Sequence, residues 1–174
     1  MKKEVVLKIK RLDKGLEIPK YINETDAGLD LRAAKDVVIK PHEQKTVNCG
    51  IVIEIPEGCV GYLKDRAGIV TKMNVHVVAG TIDSGYRGEV SVVLFNLGER
   101  EAMIERGMRI AQMIIIPVIR VKIQEIDSVS KTKRSNRGFG STGIKEISSE
   151  KFEEVETELN KLYEEGIKNS KLRK

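Results

Sequence analysis

Apolar and polar positions alternate with a period of two through much of the first two-thirds of the chain. Val5, Leu7 and Ile9 alternate with Val6, Lys8 and Lys10, and Ile51, Ile53 and Ile55 alternate with Val52, Glu54 and Pro56. Successive side chains of a strand point to opposite faces, so these runs read as half-buried β-strands. Segments 90–95 and 110–123 are rich in β-branched residues, which suit a pleated surface. Lys40-Pro41-His42, Pro56-Glu57-Gly58 and Asp83-Ser84-Gly85 supply turn chemistry between the runs. No helical period emerges before about residue 145. The expected fold class is therefore all-β, a sandwich or barrel.

The pattern changes at residue 128. Segment 128–143 is polar, basic and glycine-rich and reads as a flexible arm. Beyond it, Phe152, Val155, Leu159, Leu162 and Tyr163 fall at helical spacing, predicting an amphipathic helix over 148–167. Glu150, Glu153 and Glu154 in its first turns complement the helix dipole. The expected division is a β domain over 1–127, the arm over 128–143 and a helical extension over 144–174.

Composition narrows the class without naming a function. With 174 residues the chain suits one ordinary domain, and 33% charged against 40% apolar residues is a soluble balance. The longest apolar run, 113–119, is of strand length, so no membrane span and a cytoplasmic setting are expected. Cys49 and Cys59 form no CxxC pair and read as reduced thiols on adjoining strands. His42 and His76 are isolated in the sequence, which gives a zinc site little support. The net charge of +5 suits a polyanionic ligand, but part of it sits in Lys168, Lys171, Arg173 and Lys174 at the chain end.

Candidate chemistry lies in four glycine-containing clusters: 27–32, 65–68, 79–88 and 137–143. Each alone reads either as a turn or as an anion-binding segment. Glycine lets the main chain approach an oxyanion, and arginine offers a fixed fork of donors. Phe139, one of only three phenylalanines, stands among Gly, Ser and Arg, where it either anchors the arm or stacks on a planar ligand. Asp83 and Tyr86 fall in an expected hairpin, 82–86, where the acid is a turn former or a general base facing a pocket.

In this order the clusters resemble the five motifs of the trimeric dUTP diphosphatase (dUTPase) family. The matching segments are 27–34, 66–68, 80–88, Arg109-Ile110-Ala111-Gln112 and 134–143. The resemblance covers about residue 5 to residue 143 and leaves the tail from Ile144 onward uncovered. It implies a jelly-roll-like β-barrel, a homotrimer with sites at subunit junctions, and hydrolysis of dUTP to dUMP and pyrophosphate. By the same resemblance, Asp83 matches the carboxylate that deprotonates water for in-line attack on the α-phosphorus. Tyr86 matches the ring beneath the deoxyribose, and main-chain groups near Gly80, Thr81, Ile82 and Ser91 match those reading uracil. Arg66, Ala67, Gly68, Gln112 and Arg134 match phosphate-contacting positions. Phe139, with Gly140, Ser141 and Thr142, matches the arm that covers a neighbour's site. Asp30 matches the first motif's acid, placed as local support. Mg²⁺ is the implied cofactor, held mainly by the nucleotide and water, with no protein side chain assigned to it.

Two positions depart from the pattern. Ala67 stands where the second motif usually carries serine, and Arg137 where the fifth usually carries glycine. The missing hydroxyl normally donates to the phosphate chain, and losing one such donor costs on the order of 2–4 kcal/mol of transition-state stabilisation. A non-catalytic or weakly catalytic dUTP-binding regulatory trimer is the competing reading. The deaminase branch of the superfamily needs a glutamate in the strand after the hairpin, where this chain has Ser91-Val92-Val93-Leu94. No nucleic-acid partner is expected, because four tyrosines and three phenylalanines are too few to interleave with the basic residues.

Overall fold

The alternating segments become short antiparallel strands that turn one face inward. A computed structural model describes residues 5–136 and 157–158. Its first compact unit is Met1–Ile123 and its second Gln124–Lys174. The first holds eleven strands in four small sheets among the described residues. Strand β1 (Lys8–Arg11) pairs with β5 (Ile51–Glu54), and β3 (Val37–Ile39) with β10 (Ala102–Ile104). A three-stranded sheet orders β4 (Gln44–Asn48), β9 (Ser91–Asn96) and β7 (Val75–Ala79). A four-stranded sheet orders β2 (Leu29–Arg32), β11 (Arg109–Pro117), β6 (Cys59–Lys64) and β8 (Thr81–Asp83).

All four sheets feed one core. Leu31, Ile39, Val47, Ile53, Val92, Leu94, Ile104, Ile110 and Met113 are all under 2% exposed. In β9 the period-two pattern is complete, with Val92, Leu94 and Asn96 inward. Asn96 is a polar residue in that row, but its amide is satisfied. It donates to the Ile39 and Arg100 carbonyls at 2.9 and 2.8 Å and accepts from the Gly98 N–H at 2.9 Å.

Four sequence expectations need correction. A short helix, α1 (Ala67–Met73), precedes residue 145. Its signal was invisible because it buries only Ile69 and contains Gly68 and β-branched Ile69, Val70 and Thr71. The expected hairpin over 82–86 is instead a turn between sheets, since β8 pairs with β6 while β9 pairs with β4 and β7. The long run 110–123 stops being sheet at Pro117, and residues 119–123 join no strand among the described residues. Both thiols are free, but Cys49 lies between β4 and β5 while Cys59 opens β6, so the strands do not adjoin.

The second unit is described only in part. Residues 124–136 are irregular and exposed, with Ser135 at a φ of 49° and its N–H on the Thr132 hydroxyl at 3.0 Å. Of the helix expected over 148–167, Thr157 and Glu158 are described, both helical and exposed. The remainder of that segment lies outside the described residues.

Candidate active site

Register places four of the expected site residues, Asp30, Thr81, Asp83 and Gln112, on the outer face of the four-stranded sheet. Asp30 pairs with Gln112, Gln112 with Lys64, Tyr62 with Thr81, and Val60 with Asp83. Directly paired residues, and those two apart along a strand, share a face. Leu29, Leu31, Leu63, Ile82 and Met113 take the opposite face and enter the core.

At one end of this face Asp30 collects three nitrogen donors from two segments, β11 and the connection between β6 and α1. Its carboxylate is 6% exposed and accepts from Arg66 Nε at 3.3 Å, Arg109 Nη1 at 3.3 Å and Gln112 Nε2 at 3.4 Å. Segments distant in sequence thereby converge, and a β-bulge between Arg109 and Ala111 adjusts the strand at that point. Gly28 keeps the approach close, because a Cβ there would meet the Gln112 Cβ at 3.1 Å. Arg66 is the N-cap of α1 and its carbonyl accepts from Ile69 and Val70. Ala67 and Gly68 follow in the first turn, Ala67 exposed and Gly68 beside the Arg66 guanidinium. The three donor residues around one acid offer N–H groups suited to phosphate oxygens. Arg109, quoted from sequence in the fourth motif but given no role there, joins the cluster through β11, which pairs directly with β6.

At the other end, on the edge strand β8, lies a second cluster. Thr81, Ile82, Asp83, Tyr86 and Ser91 line an open pocket of about 200 Å³. Gly80 presses the entry of β8 against β6: its carbonyl accepts from the Leu63 N–H at 2.7 Å, and a Cβ there would stand 2.9 Å from the Leu63 carbonyl oxygen. The turn after β8 is closed by Tyr86 N–H on the Asp83 carbonyl at 3.0 Å. Arg87 Nη1 donates to the Ser84 and Tyr86 carbonyls at 2.7 and 2.8 Å. The Tyr86 hydroxyl donates to the Glu89 carbonyl at 3.0 Å, and a side chain at Gly88 would collide with the tyrosine ring. Behind the turn, the Glu89 carboxylate holds the Asn48 amide and the Gly50 N–H, both at 2.9 Å. Burial, with a lesser contribution from Glu89, pushes the neighbouring Cys49 thiol up to about 12. Asp83 itself is exposed at the pocket mouth.

One chain does not merge these clusters. Lys64 and Val60 are four residues apart on β6, so Gln112 and Asp83 lie roughly 16 Å apart at the backbone, from about 3.3 Å per residue and 4.8 Å per strand. Tyr62 and Lys64 stand between them, with the Lys64 ammonium 5.8 Å from the Tyr62 ring centroid. Arg134 belongs to the second unit, and Phe139, Gly140, Ser141 and Thr142 lie outside the described residues. Among the described residues, no group of three or more His, Cys, Asp or Glu gathers as a metal cage, and no helix is long and apolar enough to cross a membrane.

Comparison with known proteins gives one consistent result. Residues 14–143 match the dUTPase family. The chain is 45% identical over 140 residues to the deoxyuridine 5′-triphosphate nucleotidohydrolase of Gloeothece citriformis, covering 79% of this chain and 97% of that protein. It is 47% identical over 140 residues to the enzyme of the same name from Crocosphaera subtropica, covering 79% and 99%. The fold is similar to the Staphylococcus bacteriophage 80alpha dUTPase solved with dUpNHpp. That match has a TM-score of 0.72 and 30% identity, over 80% of this chain and 99% of that one.

Proposed function

The chain belongs to the dUTPase family, and from that premise we propose that it hydrolyses dUTP to dUMP and pyrophosphate with Asp83 as the base. The observation that carries this reading is the pocket of Thr81, Ile82, Asp83, Tyr86 and Ser91, which gathers the residues expected to hold uracil, deoxyribose and water. Asp83, exposed at its mouth, takes a proton from water as the new oxygen–phosphorus bond forms at the α-phosphorus. The bond to the β-phosphate oxygen breaks in line and pyrophosphate leaves. Tyr86, fixed by Glu89 and Gly88, supports the deoxyribose and leaves no room for a 2′-hydroxyl.

The phosphate chain is assigned to Arg66, Ala67, Gly68 and Gln112, with Arg109 added. Mg²⁺, when bound with the nucleotide, neutralises phosphate charge and holds the chain in one shape. Asp30 is already engaged by three nitrogen donors, so the metal is assigned to the phosphates and water. Arg134, Phe139, Gly140, Ser141 and Thr142 are assigned to the arm, which covers base and phosphates. The reading keeps a jelly-roll-like barrel domain over 1–127, the arm over 128–143 and the extension over 144–174. A cytoplasmic setting fits the two free thiols.

The same reading makes the molecule a homotrimer. Two features support it: the donors and the base of one chain stand apart on one face, and Ile119, Val121 and Ile123 are 91%, 76% and 90% exposed. Alternating apolar residues on an unpaired extended segment fit strand-wise contact with another copy. A second copy then supplies Asp83 to the donors of the first.

Ala67 favours a second reading, a dUTP-binding trimer with little or no turnover. One assay separates the two: pyrophosphate release from dUTP, dTTP, dCTP and UTP, with and without Mg²⁺. Turnover confined to dUTP supports the enzyme. Binding of dUTP without pyrophosphate release supports the regulatory trimer.

A further inference from the structure

Helix α1 carries Ala67 and Gly68 directly after Arg66, yet little in the helix accounts for its stability. It is seven residues long, has no side-chain cap at its N-terminus and buries only Ile69. Isolated helices of this length do not persist in water, and Gly68, Val70 and Thr71 weaken it further. What holds it is a contact between segments. Asp65, between β6 and α1, uses both carboxylate oxygens on β7. Its Oδ1 accepts the Val77 N–H at 2.6 Å, and its Oδ2 faces His76 Nδ1 at 2.9 Å. The other imidazole nitrogen, Nε2, faces the Asn74 amide oxygen at 3.4 Å. Asn74 is the left-handed C-cap of the same helix, its N–H on the Val70 carbonyl at 2.9 Å. One histidine side chain therefore touches the residues flanking both ends of α1, and both His76 and Asp65 are only partly exposed.

We propose that Asp65 and His76 are a positioning couple that aims Arg66 and the first turn of α1 at the phosphate chain. The inference rests on the dUTP-hydrolysing reading above. Its physical content is pre-orientation. The Asp65 side chain is tied to β7, which restrains the residue next to Arg66 and gives its guanidinium a steadier stem on the way to Asp30. The couple also disposes of a charge problem. A free carboxylate one residue from a phosphate-binding arginine would repel the ligand, and here both its oxygens are occupied by the β7 amide and the imidazole.

The test is a double-mutant cycle on the full chain. Asp65→Ala should lower kcat/KM for dUTP by about tenfold or more, mostly in kcat, because orientation rather than contact is lost. Asp65→Asn keeps an acceptor for Val77 and a polar group for His76, and should stay within about threefold of the parent. In an Arg66→Ala background, Asp65→Ala should change kcat/KM by less than about twofold, because it acts through Arg66. Where Arg66→Ala turns over too slowly, the same cycle is read as the Kd of dUpNHpp by calorimetry. If Asp65→Ala does not assemble, His76→Ala, which leaves the Val77 bond, takes its place in the cycle. Multiplicative losses in the double variant overturn the proposal, as does an Asn variant as impaired as the Ala variant. So does an Asp65→Ala protein that melts earlier but turns over like the parent. Parent hydrolysis of dUTP and its loss in Arg66→Ala report on the functional reading separately.

Discussion

Asp30 and Asp83 share one sheet face and have opposite surroundings. Asp30 is 6% exposed and accepts from Arg66, Arg109 and Gln112. Asp83 is exposed at an open pocket on an edge strand, with no side-chain donor bonded to it among the described contacts. A carboxylate already saturated by donors is poorly placed to take a proton, whereas one facing water can do so. On the proposed reading, the first acid is architectural and the second carries the chemistry. On the same reading, the two acids belong to two halves of a site that a second copy completes.

The hardest test of that division is Asp83→Asn. It should lower kcat by about a hundredfold or more and leave dUpNHpp affinity within about tenfold, with the melting temperature unchanged. An Asn variant that turns over at the parent rate removes Asp83 as base.

Ala67→Ser should come next in size, in the opposite direction. The serine would sit in the first turn of α1 beside Arg66, and kcat should rise by about tenfold or more with a smaller change in KM. Steady-state kinetics on dUTP decide this, and an unchanged kcat would mean that the site stabilises the phosphates by another route.

Asp30→Ala should act on fold and function together. It strands Arg66 and Arg109 without their shared partner, and their side chains are 29% and 38% exposed, so solvent softens the loss to about 2 kcal/mol. Chemical denaturation should show that loss beside a higher KM. A purely kinetic effect with full stability would make Asp30 a reacting group instead.

The smallest effect concerns the packing behind the Tyr86 turn. Burial raises the Cys49 thiol from an ordinary 9.0 to about 12. The folded state therefore keeps its proton while the unfolded chain loses one, and stability falls as pH rises from about 9 toward 12, by at most about 1.4 kcal/mol per pH unit. Melting curves between pH 8 and 10 should show a slope, on the order of that size, that Cys49→Ala removes. An identical slope in both proteins would place that thiol in contact with water.

The strands were legible because each sheet turns one face to a common core, and period two survives wherever that holds, as in Val92, Leu94 and Asn96. Of the pocket around Asp83, the stretch holding Asp83 and Tyr86 stood out locally, while Ser91 entered only through the family resemblance. Contacts made across the fold left no local trace. Arg109 reaches Asp30 across 79 positions, and His76, isolated in sequence, meets Asp65 through space. Helix α1 was missed because one buried residue makes no period. The expected hairpin failed because β8 pairs with β6 while β9 pairs with β4 and β7, so the turn joins two sheets. Residues 119–123 read as strand but join no strand among the described residues.

Mixing two disabled chains tests the shared site most directly. Asp83→Asn retains the donors and Arg66→Ala retains the base, and each alone should be nearly inactive on dUTP. Co-refolded in equal amounts, three-quarters of the trimers should be mixed, each with one intact junction of three, giving about a quarter of parental pyrophosphate release. Activity no greater than the average of the two separate variants would contradict a site assembled from two copies.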